Sequence, residues 1–452
     1  MRAAFQRVGR KMSRPLDIDD LGLMIAKVKS FPSRRCVAAL AWLAAMILQV
    51  AAAQETAGRL SPLAKEPDWT ALDQYQETMT RAEFTRLLDG VYAPGGAWKN
   101  TVEITDEGAL VLTTGTNRLL LHFAAEGHAK DPPRYWKPLA ALPAAARPLE
   151  GLTIALDPGH LGGEWAKMEA RWYQIGAGTI PVTEGDMTLL TAQLLEARLN
   201  SDGAKIVFVR NAAEPATKLR PEDLRDAARA ELRRQGLAII REKYDGPGDS
   251  LKMNSVQWMS ELLFYRTAEI QERAVLLNGR LKPDLALCLH YNAEAWGDPA
   301  KPQLVDKNHM HVMVNGNYSA PELALDDVRH GMLVKLLSRC YAEELPVAAH
   351  VAESLARATG LPPYLYTTPN AMRVGDNPYV WARNLLANRL YQCPVIYIEP
   401  YVMNSQEVWE RVQAGDYDGR KMIHGKLRES IYREYASAVA EGVAAAAKEL
   451  RK

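Results

Sequence analysis

Leu152-Thr153-Ile154-Ala155-Leu156 is a short apolar run that ends in Asp157-Pro158-Gly159-His160. Asp and Pro favour a tight turn and Gly159 allows a close backbone approach, so the segment reads as a strand with an imidazole held at its tip. Downstream the same grammar repeats. Met187–Leu199 has the spacing of an amphipathic helix and Lys205–Val209 is a second apolar strand. Leu285–Leu289, His311–Val314 and Val395–Ile398 read as further strands, separated by helical spans. Strand alternating with helix predicts an α/β fold: an open, mostly parallel sheet with helices on both faces. An Ala-rich helix is expected to close the chain over about 426–452.

Upstream of Leu152 the pattern differs. Arg81–Leu88 has helical spacing, while Val102–Ile104, Ala109–Thr113 and Arg118–Phe123 alternate as strands. Residues 54–130 are therefore expected to form a small α+β module, and the proline-rich stretch 131–150 a linker. The main domain spans 151–452 and carries helical insertions at about 215–266 and 320–346, longer than simple crossovers require.

Arg34-Arg35, the apolar run Cys36–Val50 and Ala51-Ala52-Ala53 read as a secretory signal peptide, residues 1–53. The run is short for a membrane span. The expectation is an exported protein, periplasmic or extracellular, with no stable membrane anchor after cleavage. Cys288, Cys340 and Cys393 then remain, too few for a disulfide scaffold. At 48% hydrophobic and 24% charged residues, the 452-residue chain is neither disordered nor fibrous. Its formal charge of +1 hides an asymmetry: residues 1–53 carry nine Lys/Arg against three Asp/Glu, a balance of +6 that leaves −5 for the rest. A weakly acidic body speaks against a nucleic-acid partner.

Ligands of open α/β sheets sit beyond the carboxyl ends of the strands, and there the sequence places four chemically capable side chains. His160 follows the first strand. Glu184 lies in Thr183-Glu184-Gly185-Asp186 at the start of a helix, with Thr183 as its expected cap. His290 ends Leu287-Cys288-Leu289-His290-Tyr291-Asn292, and Glu399 ends Val395-Ile396-Tyr397-Ile398-Glu399. Two imidazoles and one carboxylate are a frequent catalytic zinc set with an open fourth position for water. A further carboxylate can move that water's proton. Glu399 suits the role, and burial is expected to raise its pKa. Asn292 is a candidate to orient substrate or to close a turn. Glu164 is a rival ligand to Glu184, Cys288 reads as a buried small side chain, and His309 and His311 read as surface or supporting residues. Neither H-E-x-x-H nor G-x-S-x-G occurs.

Taken in order, these segments resemble the zinc-dependent N-acetylmuramoyl-L-alanine amidases, over about 151–448. Asp157-Pro158-Gly159-His160 with Gly162-Gly163 is similar to their D-P-G-H-G-G signature, and Asp284–Asn292 to the run that ends in S-I-H-x-N. Cys393-Pro394 to Glu399, with Asn404 and Glu407, is similar to P-x-x-L-V-E-x-G-F-x-S-N. The resemblance implies zinc held by His160, Glu184 and His290, Glu399 as general base, and hydrolysis of the amide between N-acetylmuramic acid and L-alanine in peptidoglycan. It also implies a protein activator that moves a helical segment off the metal. Residues 320–346 are the candidate segment, with Glu322, Asp326 or Asp327 as the capping carboxylate. Leu161 is extra between His160 and the glycine pair, and Gly185 stands where the family usually has lysine. The alternatives are a catalytically silent peptidoglycan-binding or regulatory protein, and a zinc peptidase acting on other wall peptides.

Overall fold

A computed structural model of the chain describes residues 59–246, 248–296 and 302–451; the signal peptide read at 1–53 lies outside them. Helix α1 (Arg81–Leu87) starts where the Thr80 hydroxyl accepts from the backbone N–H of Glu83. Strands β1 (Val102–Ile104), β2 (Gly108–Leu112) and β3 (Arg118–His122) follow as an antiparallel sheet in sequence order. Strand β4 (Thr153–Pro158) begins the main sheet, and β5 (Trp172–Tyr173) with β6 (Val182–Thr183) forms a small ribbon leading into α2 (Glu184–Ser201). The chain continues through β7 (Lys205–Phe208), α3 (Arg225–Arg234), α4 (Val256–Leu263), α5 (Glu269–Leu276), β8 (Leu285–Leu289) and β9 (Met310–Val314). Then come α6 (Asp326–Leu337), α7 (Cys340–Thr359), β10 (Met372–Arg373), β11 (Val380–Ala382), α8 (Leu386–Leu390) and β12 (Val395–Pro400). The last elements are α9 (Gln406–Gln413), β13 (Lys421–Ile423), β14 (Lys426–Arg428) and α10 (Ile431–Leu450).

The main sheet has seven strands in the order β10-β11-β9-β12-β8-β4-β7. β7, β4, β8 and β12 run parallel, whereas β9 enters antiparallel beside β12 and carries β11 parallel to itself. The central strands are buried on both faces, which is why β8 reads Leu-Ala-Leu-Cys-Leu without polar alternation. Ile154, Leu156, Leu287, Val312 and Ile398 face a large core shared with Leu195, Val351 and Val439 of α2, α7 and α10. Ala155, Ala286, Cys288 and Val395 point the other way, against Ala274 and Leu277 at α5 and Ala387 and Tyr391 at α8. Helices therefore cover both faces, as the alternating pattern implied. In α2, Met187, Thr191, Leu195 and Leu199 recur every fourth residue and all are buried, the stripe that seats the helix.

Three expectations change in detail. The closing helix starts at Ile431, because Lys421–Arg428 folds as a hairpin whose turn residues, His424 and Gly425, both have positive φ. The 215–266 insertion is α-helical only at α3 and α4, with irregular chain between them. Leu224, Leu232, Met259 and Phe264 of this insertion gather into a small core of their own around Leu161. The carboxylates of 320–346 do not reach the site. Glu322 accepts from Ser319 and Asn384, Asp326 pairs with Arg329 at 2.6 Å, and Asp327 accepts from the Ser61 backbone. Arg329 in turn donates to the carbonyl of Leu112, so α6 ties the small sheet to the body. Leu72, Phe84 and Val111 share one core with Val314 and Met332.

Candidate metal centre

The turn after β4 is clamped from below by two buried arginines. Arg273 on α5 pairs with Asp157 at 2.9 Å and with Glu269 at 2.8 Å, and it donates to the carbonyls of Pro158 and His160. Arg210, just after β7, donates to the carbonyls of Pro158 and Gly185. The flanking carboxylates keep Arg273 charged although burial opposes it. Held this way, His160 adopts φ 60°, a left-handed conformation that its neighbours must impose. Its Nδ1 lies 2.5 Å from Glu169, a buried carboxylate at the end of the short helix Trp165–Met168. A proton on Nδ1 leaves Nε2 free to face Glu184, 3.3 Å away.

His290 is fixed by different means. It follows β8 directly, and its ring stacks on Tyr397 of β12 at 4.3 Å between centroids. Its other side meets Gly159, where any Cβ would collide with the ring. Gly185 has a similar explanation: a Cβ there would strike the Leu161 carbonyl. The backbone at Leu161 and the glycine at 185 thus fit one another.

Glu184 stands between the imidazoles, its side chain 1% exposed. Its Oε1 accepts from the Tyr291 N–H at 3.0 Å and lies 3.3 Å from His290 Nδ1. Its Oε2 is buried without a hydrogen-bond partner, although Arg171 Nε lies 3.1 Å away. Burial would raise this carboxyl, but His160, the hydrogen bond from His290 and the Arg171 charge outweigh it and hold the group at about 2. Each of His160, Glu184 and His290 offers one donor atom, and the three lie within 4.8 Å of one another. Two nitrogens, one orphaned carboxylate oxygen and a His160 side chain 21% exposed at the rim fit a divalent metal such as zinc. Thr183 does not cap α2 through the backbone; its hydroxyl donates to Asp186 at 2.7 Å.

Glu399 lies at the end of β12, in register with His311 on β9. His311 Nε2 is 2.9 Å from Glu399 Oε2. The expected rise in the Glu399 pKa is reversed: burial pushes it up, but the hydrogen bond from His311 outweighs it and holds the group below the ordinary carboxylate value. His311 is buried, as is His309, which instead meets Glu294 at 2.9 Å. Asn292 is half-buried, accepting from the Ala293 N–H at 2.7 Å, with its amide nitrogen 3.5 Å from His311 Nδ1. Glu164 is exposed against Lys167 and takes no part. Cys288 lies 3.7 Å from Asp157 in the packed face, and burial pushes its thiol up.

Glu169 and Arg171 escaped the sequence reading, and of His311 only a surface or supporting role was read, not its partner Glu399. Glu169 follows the quoted signature by nine residues without any pattern of its own. His311 was visible only as alternation on a strand whose neighbour was unknown.

No protein-family model matches the chain, and no curated protein matches it. Similar solved structures include the N-acetylmuramyl-L-alanine amidase Ami1 from Mycobacterium smegmatis, 16% identical over 67% of this chain and 99% of that one, with a TM-score of 0.36. The amidase AmiC2 of Nostoc punctiforme is 14% identical over 67% and 99%, TM-score 0.33. The CwlD amidase from Clostridioides difficile, solved in complex with the GerS lipoprotein, is 12% identical over 66% and 100%, TM-score 0.35.

Proposed function

We propose that this chain is a zinc-dependent amidase that cleaves the bond between N-acetylmuramic acid and L-alanine in peptidoglycan. The observation that carries the reading is the orphaned Oε2 of Glu184, buried between two imidazoles whose donor atoms lie within 4.8 Å of it. A buried carboxylate oxygen that has the Arg171 charge 3.1 Å away but no hydrogen bond costs free energy that a bound cation would offset. The ordered resemblance of its motifs to the zinc amidases supplies the substrate class.

Bound at His160, Glu184 and His290, zinc would polarise the scissile carbonyl and lower the pKa of a water. The remaining work falls to the chain. Glu169 holds the His160 ring in one tautomer by accepting from Nδ1, and Tyr397 fixes the plane of His290. Glu399, kept ionised by His311, accepts the proton of the attacking water and returns it to the departing amine. Residues 1–53 would export the enzyme to the compartment where peptidoglycan lies. A protein activator belongs to the same reading; Glu322, Asp326 and Asp327 of the 320–346 segment are engaged with other partners in this structure. Among the described residues no helix is long and apolar enough to cross a membrane.

The test uses the chain purified without residues 1–53, with zinc measured by elemental analysis and purified peptidoglycan as substrate. Stem peptides with a free amino-terminal alanine should appear in the mass spectrum. Glu399→Gln should keep its zinc and slow release by about 10²–10⁴-fold. Glycan fragments or internal peptide cuts instead would refute the assigned bond, and bound zinc without any cleavage would favour the silent binding protein.

A further inference from the structure

We infer that His311 is a positioning residue for Glu399, with Asn292 as the group that sets its tautomer. The inference rests on the reading of Glu399 as general base and adds how that base is aimed. β9 is the one strand that pairs antiparallel with β12, and the register places His311 directly opposite Glu399. Among the described residues, His311 is the one side chain that hydrogen-bonds this carboxylate, through Nε2 to Oε2 at 2.9 Å.

The direction of that bond follows from the next residue along. Asn292 Oδ1 is committed to the Ala293 N–H, so its amide nitrogen is the atom turned toward His311 Nδ1. An N–H aimed at Nδ1 makes that nitrogen the acceptor, which puts the ring proton on Nε2, where it is donated to Glu399. The other polar group at Nε2 is the Tyr366 hydroxyl, 3.4 Å away. That hydroxyl has the Met313 sulfur at 3.3 Å as an acceptor for its own proton, and it is farther from Nε2 than the Glu399 carboxylate is. Tyr364 and Tyr366 wall the ring at centroid distances of 5.1 and 5.5 Å, so it cannot turn without displacing them. With Oε2 pinned, the partly exposed carboxylate has Oε1 left to receive a proton. A general base works only when its acceptor atom lies within hydrogen-bond reach of the proton it takes. The triad Asn292–His311–Glu399 supplies that alignment without touching the three proposed metal ligands.

The test compares His311→Gln, His311→Asn and His311→Phe in the exported chain. A Gln amide nitrogen reaches the Nε2 position, whereas that of Asn reaches only Nδ1. We expect Phe and Asn to lower kcat on a muramyl peptide by about 10–100-fold. Gln should recover most of the rate, with KM and zinc content unchanged in all three. Wild-type kcat in His311→Phe, equal losses in Gln and Asn, or losses that appear in KM or zinc content would each overturn the assignment. Difference infrared spectra (each protein minus its Glu399→Gln counterpart) report the carboxylate stretch of Glu399 independently of turnover. A stretch that shifts in Phe and Asn but stays near wild type in Gln supports the hydrogen bond, even if the wild type cleaves no muramyl peptide and the amidase reading fails. An unchanged stretch in His311→Phe sinks the positioning role alone.

Discussion

His160 and His290 face the same carboxylate but are held by unlike machinery. His290 is carried by the sheet: it continues an apolar central strand, lies against a glycine and stacks on a ring of the adjacent strand. His160 sits beyond its strand at a positive φ. Two buried arginines, a buried glutamate and the Leu161 plug of an inserted helical core hold it there. A strand end is rigid at no extra cost because the ladder already fixes it. A turn must be made rigid by side chains, each a separate point of failure. The difference teaches that this site should be lost from the His160 side first.

Removing the clamp gives the largest effect. Arg273→Leu leaves Asp157 and Glu269 buried without their cation. It should cost about 3–5 kcal/mol of stability, the usual penalty for breaking a buried pair on one side. Urea denaturation of the metal-free protein measures it. A loss below about 1 kcal/mol would mean that the turn does not depend on the arginine, and the contrast between the two histidines would dissolve.

Next comes the comparison of one support from each side. Glu169→Gln weakens the acceptor on His160 Nδ1 and should reduce zinc affinity about 10–100-fold. Tyr397→Leu removes only the stacking face of His290, worth about 0.5–1.5 kcal/mol, and should reduce affinity about 2–10-fold. Competition with a chelator of known affinity ranks the two. Equal losses would show that the strand-borne histidine is no better held than the turn-borne one.

The same contrast explains what could be read from the letters. His290 and Glu399 announce themselves because an apolar run followed by a polar residue is a local pattern, and the sheet preserves it. The mostly parallel sheet was legible for the same reason. Sheet order was not. Nothing local says that β9 enters antiparallel beside β12, and only that placement puts His311 against Glu399, 88 residues away in the chain. The expected direction of the Glu399 pKa was wrong on that account: burial was foreseeable, its partner was not. Glu169 and Arg171 occupy irregular chain whose course depends on the Leu161 plug, and no periodicity marks them.

Glu184 is where the two halves meet, with Oε1 on the His290 side and Oε2 on the His160 side. Its carboxyl is held at about 2 in the fold against an ordinary 4.5. A depressed acid adds stability that is fully present above the unfolded value and lost as the pH falls through the folded one. In chelator, then, the wild type should lose stability between about pH 5 and about pH 2 partly by protonating Glu184. Glu184→Gln lacks that contribution, so its melting temperature should fall less over the same interval. The effect reads the joint itself, since both imidazoles and Arg171 act on this one carboxylate. Identical acid slopes would mean that the imidazoles and Arg171 do not hold the carboxylate in the metal-free protein. Glu184 would then be a ligand assembled only by the ion, and the separate means of holding His160 and His290 would matter only after loading.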